Sequence, residues 1–577
     1  MKKIYTNESN IQILISLLKK HNIKNIIASP GTTNISFVAS VQSDDFFKVI
    51  SCVDERSAAY IACGIAAETG EPVVITCTGA TASRNYFPGL TEAYYKKLPV
   101  IAITATQHLG RIGQNVAQVI DRTVQPKDIV KKSIQLQTAY SDEDRWDCNL
   151  KINDVLLECK RNGGGPVHIN LVTTYSNEFD CNELPDERMI ERITYSDSLP
   201  EIKSNRIAIF IGNHNLMNDT LVEAIDEFCE KYNGVVLCDH TSNYNGKYKI
   251  LGNIICSQNV TSILRDIDLL IDIGNISGAY MPINPREVWR INPDGEIRDT
   301  YKKLRYVFQM EEKDFFVRYN KLSDKKINTQ YFNLWSEERK KLSDKLENID
   351  LPFSNLWVAK NISNRLEENS IVHLAILNTL RSWNYFEINK KINFYCNTGG
   401  FGIDGIMSSA IGNSLITEKN VYCFIGDLAF FYDLNSIGNR EIKNNLRILL
   451  INNGCGVEFH NYNHRARLVS SENHLDTRFF AADGHFGNKS KYLVKHYAED
   501  LGFKYISAYS KEEFNENVNE FIKEDSDKPI IFEIFTNTED ESNALKLVNN
   551  LEKNTKSRIK DFVGEKNIRK LKKILRK

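Results

Sequence analysis

Short apolar runs alternate along the chain with longer stretches whose apolar positions recur every three and four residues. That rhythm predicts buried strands joined by amphipathic helices, as in parallel βαβ units. In the first third, strands are expected near Asn25–Ser29, Val73–Thr78, Val100–Thr106 and Val167–Val172, with a helix over Glu55–Thr69. Polar, acidic Asn177–Glu201 reads as a linker. A middle block offers strands near Ile207–Gly212, Val235–Asp239, Leu269–Gly274 and Val288–Asn292, and the charged segment Glu311–Asn348 reads as exposed helix and linker. The last block offers Ile371–Leu377, Ile392–Asn397, Val421–Asp427, Leu446–Asn453 and Ile530–Phe535, with a helix over Phe430–Glu441. The expected fold class is α/β, with three doubly wound parallel-sheet domains over residues 1–185, 200–330 and 355–545 and a basic helical tail over 546–577.

Composition narrows the classes. The 577 residues carry 73 Lys+Arg against 74 Asp+Glu, so no basic excess argues for nucleic acid. No stretch approaches the roughly 20 apolar residues of a membrane span. Ile11–Leu18 is short, follows polar Asn7–Asn10 and precedes no small-residue cleavage site, so it reads as a first helix and not as a signal peptide. The twelve cysteines show no Cys-x-x-Cys pair or zinc-like spacing, which fits a reducing, cytoplasmic setting. From Leu551 to Lys577 eleven basic residues face three acidic ones, and Ile568, Leu571 and Leu575 share one helical face. A solvated terminal helix is expected there, with an anionic surface or partner as the alternative.

The most informative chemistry is Gly426-Asp427-Leu428 followed by Asn452-Asn453. Asp427 is expected at the carboxyl edge of one strand and Asn453 at that of the next. A carboxylate and an amide oxygen would thus converge on a hard cation such as Mg²⁺, whose octahedron is completed by phosphate oxygens, a carbonyl and water. The helix opening at Asp427 adds N–H groups for an anion. By physical logic this is a diphosphate–metal site.

The spacing resembles the diphosphate motif of thiamine diphosphate (ThDP) enzymes. Two further segments share the resemblance. Cys52-Val-Asp-Glu55-Arg56, with the Ala/Gly-rich helix ending at Thr69-Gly70-Glu71-Pro72, is similar to the pyrimidine-binding domain. Gly402-Ile403-Asp404-Gly405 lies upstream of Gly426-Asp427, as in that superfamily. Asp54-Glu55-Arg56, Phe431-Tyr432-Asp433-Leu434-Asn435 and Gln114-Asn-Val-Ala-Gln118-Val-Ile-Asp121 look most like the menaquinone-pathway succinyl-enolpyruvyl-hydroxycyclohexene-carboxylate synthases. The resemblance implies ThDP and Mg²⁺ as cofactors. It makes Glu55 the acid beside the aminopyrimidine ring, Ile403 the wedge that bends the cofactor, and Asp427, Asn453 and Cys455 the metal ligands. Gly79, Thr398, Gly399, Gly426, Leu428 and Val457 would complete the cofactor contacts. It also implies a homodimer or homotetramer, with Glu55 acting on the cofactor held by a second subunit. Burial is expected to raise the pKa of Glu55, and its apolar neighbours Val53 and Ala58–Ile61 are compatible with a dry pocket. Gly212-Asn213-His214 lacks a Gly-x-Gly-x-x-Gly fingerprint, so the middle block reads as structural, with bound FAD the lesser alternative.

The chain departs from that family at its basic substrate residues. Asn-Thr398-Gly399, Ser29-Pro30-Gly31-Thr32-Thr33, Thr106-Gln107-His108 and Ser277-Gly278-Ala279-Tyr280 all lack the expected arginines or Lys-Arg pair, and Glu458 stands at a usually apolar position. Each lost guanidinium–carboxylate contact is a strong charge-assisted bond. The remaining polar set, Thr33, Asn34, Gln107, His108, Gln114, Thr398, Glu458 and His460, suits a neutral or hydroxylated acceptor. The expected reaction is decarboxylation of a small 2-oxo acid such as pyruvate, with acyl transfer to an aldehyde or ketone, a sugar among the candidates. His108 and His460 are proton-shuttle candidates, Arg84 a carboxylate binder, and Asn461–Arg467 a lid or anion site. Simple decarboxylation, acetolactate synthase-like transfer and an inactive assembly protein on the same fold are the alternatives.

Overall fold

A computed structural model describes residues 3–260, 262–279, 281–323, 327–388, 391–485, 487 and 489–552. The basic tail expected beyond residue 552 lies outside the described residues. The chain divides into two compact units, one of residues 1–196 with 295–309, the other of residues 197–294 with 310–577.

The first unit is built on a six-stranded parallel sheet. Its strands are β1 (Asn25–Ala28), β2 (Lys48–Ser51), β3 (Val73–Cys77), β4 (Val100–Thr106), β5 (Lys132–Leu136) and β6 (Val167–Val172), in the order β2-β1-β3-β4-β6-β5. Alternate side chains serve two cores. Val74, Ile101 and Ile103 pack with the helices Ser9–Lys20 and Asp142–Lys160 on one face. Val73, Ile75, Val100 and Ala102 pack with Glu55–Thr69 and Phe87–Tyr95 on the other. A sheet covered on both faces needs apolar residues at every strand position, which is why β3 and β4 read as continuous apolar runs. The short strands β7 (Glu191–Ile193) and β13 (Leu304–Phe308) pair in parallel within this unit.

The second unit carries two more parallel arrays. In one, β8 (Ile207–Ile211), β9 (Gly234–Cys238), β10 (Lys249–Leu251), β11 (Asp266–Ile273) and β12 (Asn284–Ile291) run in the order β10-β9-β8-β11-β12. In the other, β14 (Ile371–Leu374), β15 (Asn393–Tyr395), β16 (Val421–Gly426), β17 (Leu446–Asn452), β18 (Lys504–Ala508) and β19 (Ile530–Phe535) run β15-β14-β16-β17-β19-β18. Val421, Cys423, Ile425, Ile448 and Leu450 pack against the helix Ile406–Ile416. On the opposite face Phe424 meets Trp383 at 4.2 Å between ring centroids and Phe521 at 6.5 Å.

Three parallel sheets with helices between their strands confirm the expected α/β architecture. The expected helix over Phe430–Glu441 differs in detail. An α-helix spans only Asp427–Tyr432, and a 3₁₀ turn over Leu434–Gly438 carries the chain on. In both six-stranded sheets the strand order reverses beside the first strand, between β1 and β3 and between β14 and β16. A crevice opens outside the carboxyl ends at such a reversal. Thr33, Gly79 and Gln107 follow β1, β3 and β4, whereas Thr398, Asp427 and Asn453 follow β15, β16 and β17. No helix among the described residues is long and apolar enough to cross a membrane.

Candidate functional site

In the second unit, β16 ends at Gly426 and Asp427 is the first residue of the helix that follows. Its side chain is buried, and its Oδ2 accepts the Gly454 N–H at 2.7 Å. Burial pushes the Asp427 carboxyl up to about 7, since the backbone N–H groups of Gly454, Leu428 and Asp427 itself do not replace its lost hydration. Asn453 lies immediately beyond β17, and its Oδ1 accepts the Cys455 N–H at 3.4 Å. Gly454 sits at φ 81°, a left-handed turn that lets the loop fold its N–H back onto Asp427. The two predicted oxygen ligands are therefore joined by one tight loop. Burial pushes the Cys455 thiol up to about 12, so its sulfur stays protonated at neutral pH.

Glycine lines the open side. A Cβ built on Gly399, Gly400 or Gly426 would meet no atom within 4 Å. Thr398, ahead of the first two, is buried, with its N–H on the Cys396 carbonyl at 2.8 Å. Ile403 is half-buried and packs on the core that contains Ala429 and Phe430. Asp433 accepts the Ser408 N–H at 2.6 Å, which ties the segment after Gly405 to the turn after Asp427. Buried Val457 and half-buried Leu428 flank the same loop ends. A hard cation with a diphosphate suits this set: two oxygen ligands, free N–H groups at a helix start, and open space above the glycines.

Beyond the loop, His460 Nε2 lies 2.7 Å from Asp483 Oδ1. Glu458 is held by Arg381, whose Nη1 and Nη2 donate to its two carboxylate oxygens at 2.8 and 2.7 Å. Arg381 was not among the residues singled out from the sequence. It lies 77 residues before its partner, in the short helix Asn378–Trp383, with no local motif around it.

In the first unit, Glu55 opens its helix behind Asp54, which caps it by accepting the Ser57 N–H at 3.1 Å. Glu55 is half-buried, and its Oε2 accepts from Asn85 Nδ2 at 3.1 Å. Of the apolar neighbours expected to enclose it, Ala58 and Ala59 are buried in the core, whereas Val53 is 76% exposed within the chain, Tyr60 47% and Ile61 42%. Thr33 is buried, sharing a hydrogen bond with Thr78 at 2.7 Å and donating to the Ala105 carbonyl at 3.2 Å. Asn34 Nδ2 donates to the Ser29 carbonyl at 3.0 Å. Gly79 is a close approach, because a Cβ there would come within 2.7 Å of the Gln118 carbonyl oxygen. Arg84 donates to the Asp121 carbonyl at 2.8 Å and lies over the Phe87 ring. Gln107 accepts from Arg111, His108 Nδ1 accepts the Gly110 N–H, and both His108 and Gln114 are exposed. Arg122, buried and also absent from the sequence candidates, reaches the Ala105 carbonyl at 3.0 Å, and burial draws its pKa down to about 10.

Residues 10–124 match the thiamine pyrophosphate enzyme, N-terminal TPP binding domain family. A 2-succinyl-5-enolpyruvyl-6-hydroxy-3-cyclohexene-1-carboxylate synthase from Bacteroides thetaiotaomicron is 28% identical over 573 residues, taking in 94% of this chain and 98% of that protein. The synthase of the same name from Phocaeicola vulgatus is 29% identical over 564 residues, with the same coverage. That from Flavobacterium johnsoniae is 27% identical, covering 93% of this chain and 97% of its own. With the three parallel sheets, these matches make the chain similar to thiamine pyrophosphate enzymes over residues 10–124, and similar along nearly its whole length to proteins named 2-succinyl-5-enolpyruvyl-6-hydroxy-3-cyclohexene-1-carboxylate synthase.

Proposed function

We propose that this chain is a ThDP- and Mg²⁺-dependent enzyme that decarboxylates a small 2-oxo acid and passes the acyl unit to an uncharged aldehyde or ketone. The observation that carries the reading is the loop at the carboxyl ends of β16 and β17 in which the Gly454 N–H meets Asp427 and the Cys455 N–H meets Asn453, with open space at Gly426 beside it. When bound, ThDP supplies the electron sink that loss of CO₂ from a 2-oxo acid requires. Asp427 and Asn453 would hold Mg²⁺ and through it the diphosphate, with Cys455 contributing its backbone carbonyl. Ile403 would hold the bend of the cofactor, and Glu55 would hold a proton against the pyrimidine ring nitrogen.

Glu55 stands at a helix start whose neighbours Val53, Tyr60 and Ile61 are exposed within the chain, so a second copy of the chain is the natural cover. A homodimer is the smallest assembly that dries this carboxyl, and within it Glu55 would serve the cofactor held by Asp427 of the partner subunit. Thr33, Asn34, Gln107, His108, Gln114 and His460 remain candidates for substrate contact and proton transfer.

Mass-spectrometric product analysis of pyruvate and related 2-oxo acids, with and without aldehyde and sugar acceptors, tests the reading. A carboligation product is expected, and Glu55→Gln should lower its formation by at least about 100-fold, the usual range of a lost general acid, while ThDP still binds. Unchanged turnover in that variant would remove Glu55 from the chemistry. A second reading is the reaction for which the relatives are named, favoured by similarity along 94% of the chain and opposed by the missing arginines. Formation of that named product in the same screen would establish it instead.

A further inference from the structure

Beside the cofactor loop the second unit encloses a cavity of about 620 Å³. Its wall includes Glu458, next in sequence to the cofactor-loop residue Val457, and Gly278, where an added Cβ would lie 3.4 Å from Thr398 Cγ2. The cavity wall thus includes residues next in sequence or in space to Val457 and Thr398. Arg381 is the only guanidinium or ammonium group among its described lining residues. That guanidinium is already committed to both oxygens of Glu458, at 2.7 and 2.8 Å, with the side chains only 29% and 19% exposed. Asn461 Nδ2 donates to the same carboxylate at 3.2 Å. His464 Nδ1 accepts the Ala466 N–H at 3.1 Å. The rest of the polar wall is amide and hydroxyl. Asn253 Oδ1 is buried in it without a protein donor, and Tyr385 and Asn549 hydrogen-bond each other at 3.2 Å.

We propose that the Arg381–Glu458 pair determines specificity, with Glu458 occupying the place of a substrate carboxylate so that the pocket takes a carbonyl compound with no anionic group beyond the one lost as CO₂. The inference rests on the function proposed above and names its substrate class. A planar fork of donors binds one carboxylate at a time. A second carboxylate on the substrate would have to evict Glu458 or lie unpaired beside it, and like charges in a half-buried pocket repel. Burial alone would draw the Arg381 pKa down, and the Glu458 carboxylate more than offsets it, so the cation persists as half of an internal pair. Unpaired amide oxygens such as that of Asn253 fit hydroxyl donors on the substrate.

The test compares pyruvate with 2-oxoglutarate, which is longer by a methylene and carries a second carboxylate, on the ThDP- and Mg²⁺-loaded enzyme. Glu458→Gln keeps the shape, removes the charge and frees Arg381. The ratio of kcat/KM for 2-oxoglutarate over pyruvate is expected to rise at least tenfold, and Glu458→Asp, which keeps the charge, is expected to stay near the wild-type ratio. A ratio that does not move in Glu458→Gln overturns the proposal. Should that variant fail to fold, calorimetric titration of the wild-type holoenzyme decides. At least tenfold weaker binding of 2-oxoglutarate than of pyruvate supports the proposal, and equal or tighter binding overturns it. Failure of the functional reading looks different: the wild type would turn over neither acid, and the two binding titrations would still report on the pair.

Discussion

A single buried carboxylate illustrates how the site works at the residue scale. Asp427 is buried and neighboured by backbone N–H groups but no basic side chain, and burial raises its pKa to about 7. A group in that condition is costly unless a cation arrives, which is the physical reason to read it as a ligand and not as a helix cap alone. Asp427→Ala removes the negative ligand but leaves the Gly454 turn and the glycine floor in place. Mg²⁺-dependent ThDP affinity is expected to fall by roughly 100-fold or more, given that even outer supports of a metal ligand are worth 10–100-fold. Calorimetry at fixed Mg²⁺ reads this directly, and an affinity within threefold of the wild type would remove Asp427 from the metal site. Arg381 and Glu458 teach a different lesson. Glu458 stood out in the sequence because it broke a pattern, but its partner lies 77 residues away and comes near only through the fold. No local periodicity could have joined them.

At the scale of the element, strands buried on both faces were legible and most edge strands were not, with β15 the exception. β4 and β6 agree with the apolar runs residue for residue, and β1, β3 and β8 agree to within one residue. β2, β5, β10, β13 and β18 went unread. β2, β5, β10 and β18 lie at the ends of their arrays, and β18, for instance, has only Ala508 fully buried. An edge strand keeps one side toward solvent or a covering loop, so its sequence mixes polar and apolar residues and loses the continuous run. β7 was hidden for a related reason, being three residues inside an acidic stretch that otherwise behaves as a linker. The helix Glu55–Thr69 was read correctly, but its outer face was not: Tyr60 and Ile61 are exposed while Ala58, Ala59 and Ala62 fill the core. An apolar outer face on the helix that begins with Glu55 requires a cover. Tyr60→Glu combined with Ile61→Glu leaves the inner alanines untouched and places two charges on that face. The double variant is expected to shift the assembly toward monomer in analytical ultracentrifugation, with activity falling in parallel. A variant that stays fully associated would move the interface elsewhere.

For the whole molecule, acid sensitivity follows from three histidines buried without charge. His168 is held between the hydroxyls of Thr104 and Ser133, with Arg84 and Arg122 nearby, and burial lowers its pKa to about 3. His240 reaches the carbonyls of Trp383 and Phe386, and burial likewise lowers it to about 3 despite those contacts. His373, against Asn413 and stacked on Tyr395, is lowered by burial to about 4. The unfolded chain takes up these three protons as pH falls through about 6.5, whereas the folded chain does not until far lower. Each histidine therefore costs nothing above about pH 6.5. Below that, each removes about 1.4 kcal/mol of stability per pH unit, until its own folded pKa is reached. The three together contribute a loss of about 4 kcal/mol per unit between about pH 6 and 4.5, and the buried carboxyls of Asp427 and Glu541, each raised to about 7, take up protons in the folded chain and offset about 2.8 kcal/mol per unit of it. Denaturant unfolding across that range should show the histidine contribution, and His168→Gln, which keeps a hydrogen-bonding side chain between the two hydroxyls, should make the loss of stability on acidification smaller by about 1.4 kcal/mol per pH unit. A pH profile unaltered by that variant would mean that His168 is protonated in the folded chain. Both neighbouring arginines and the burial of the ring stand against that outcome.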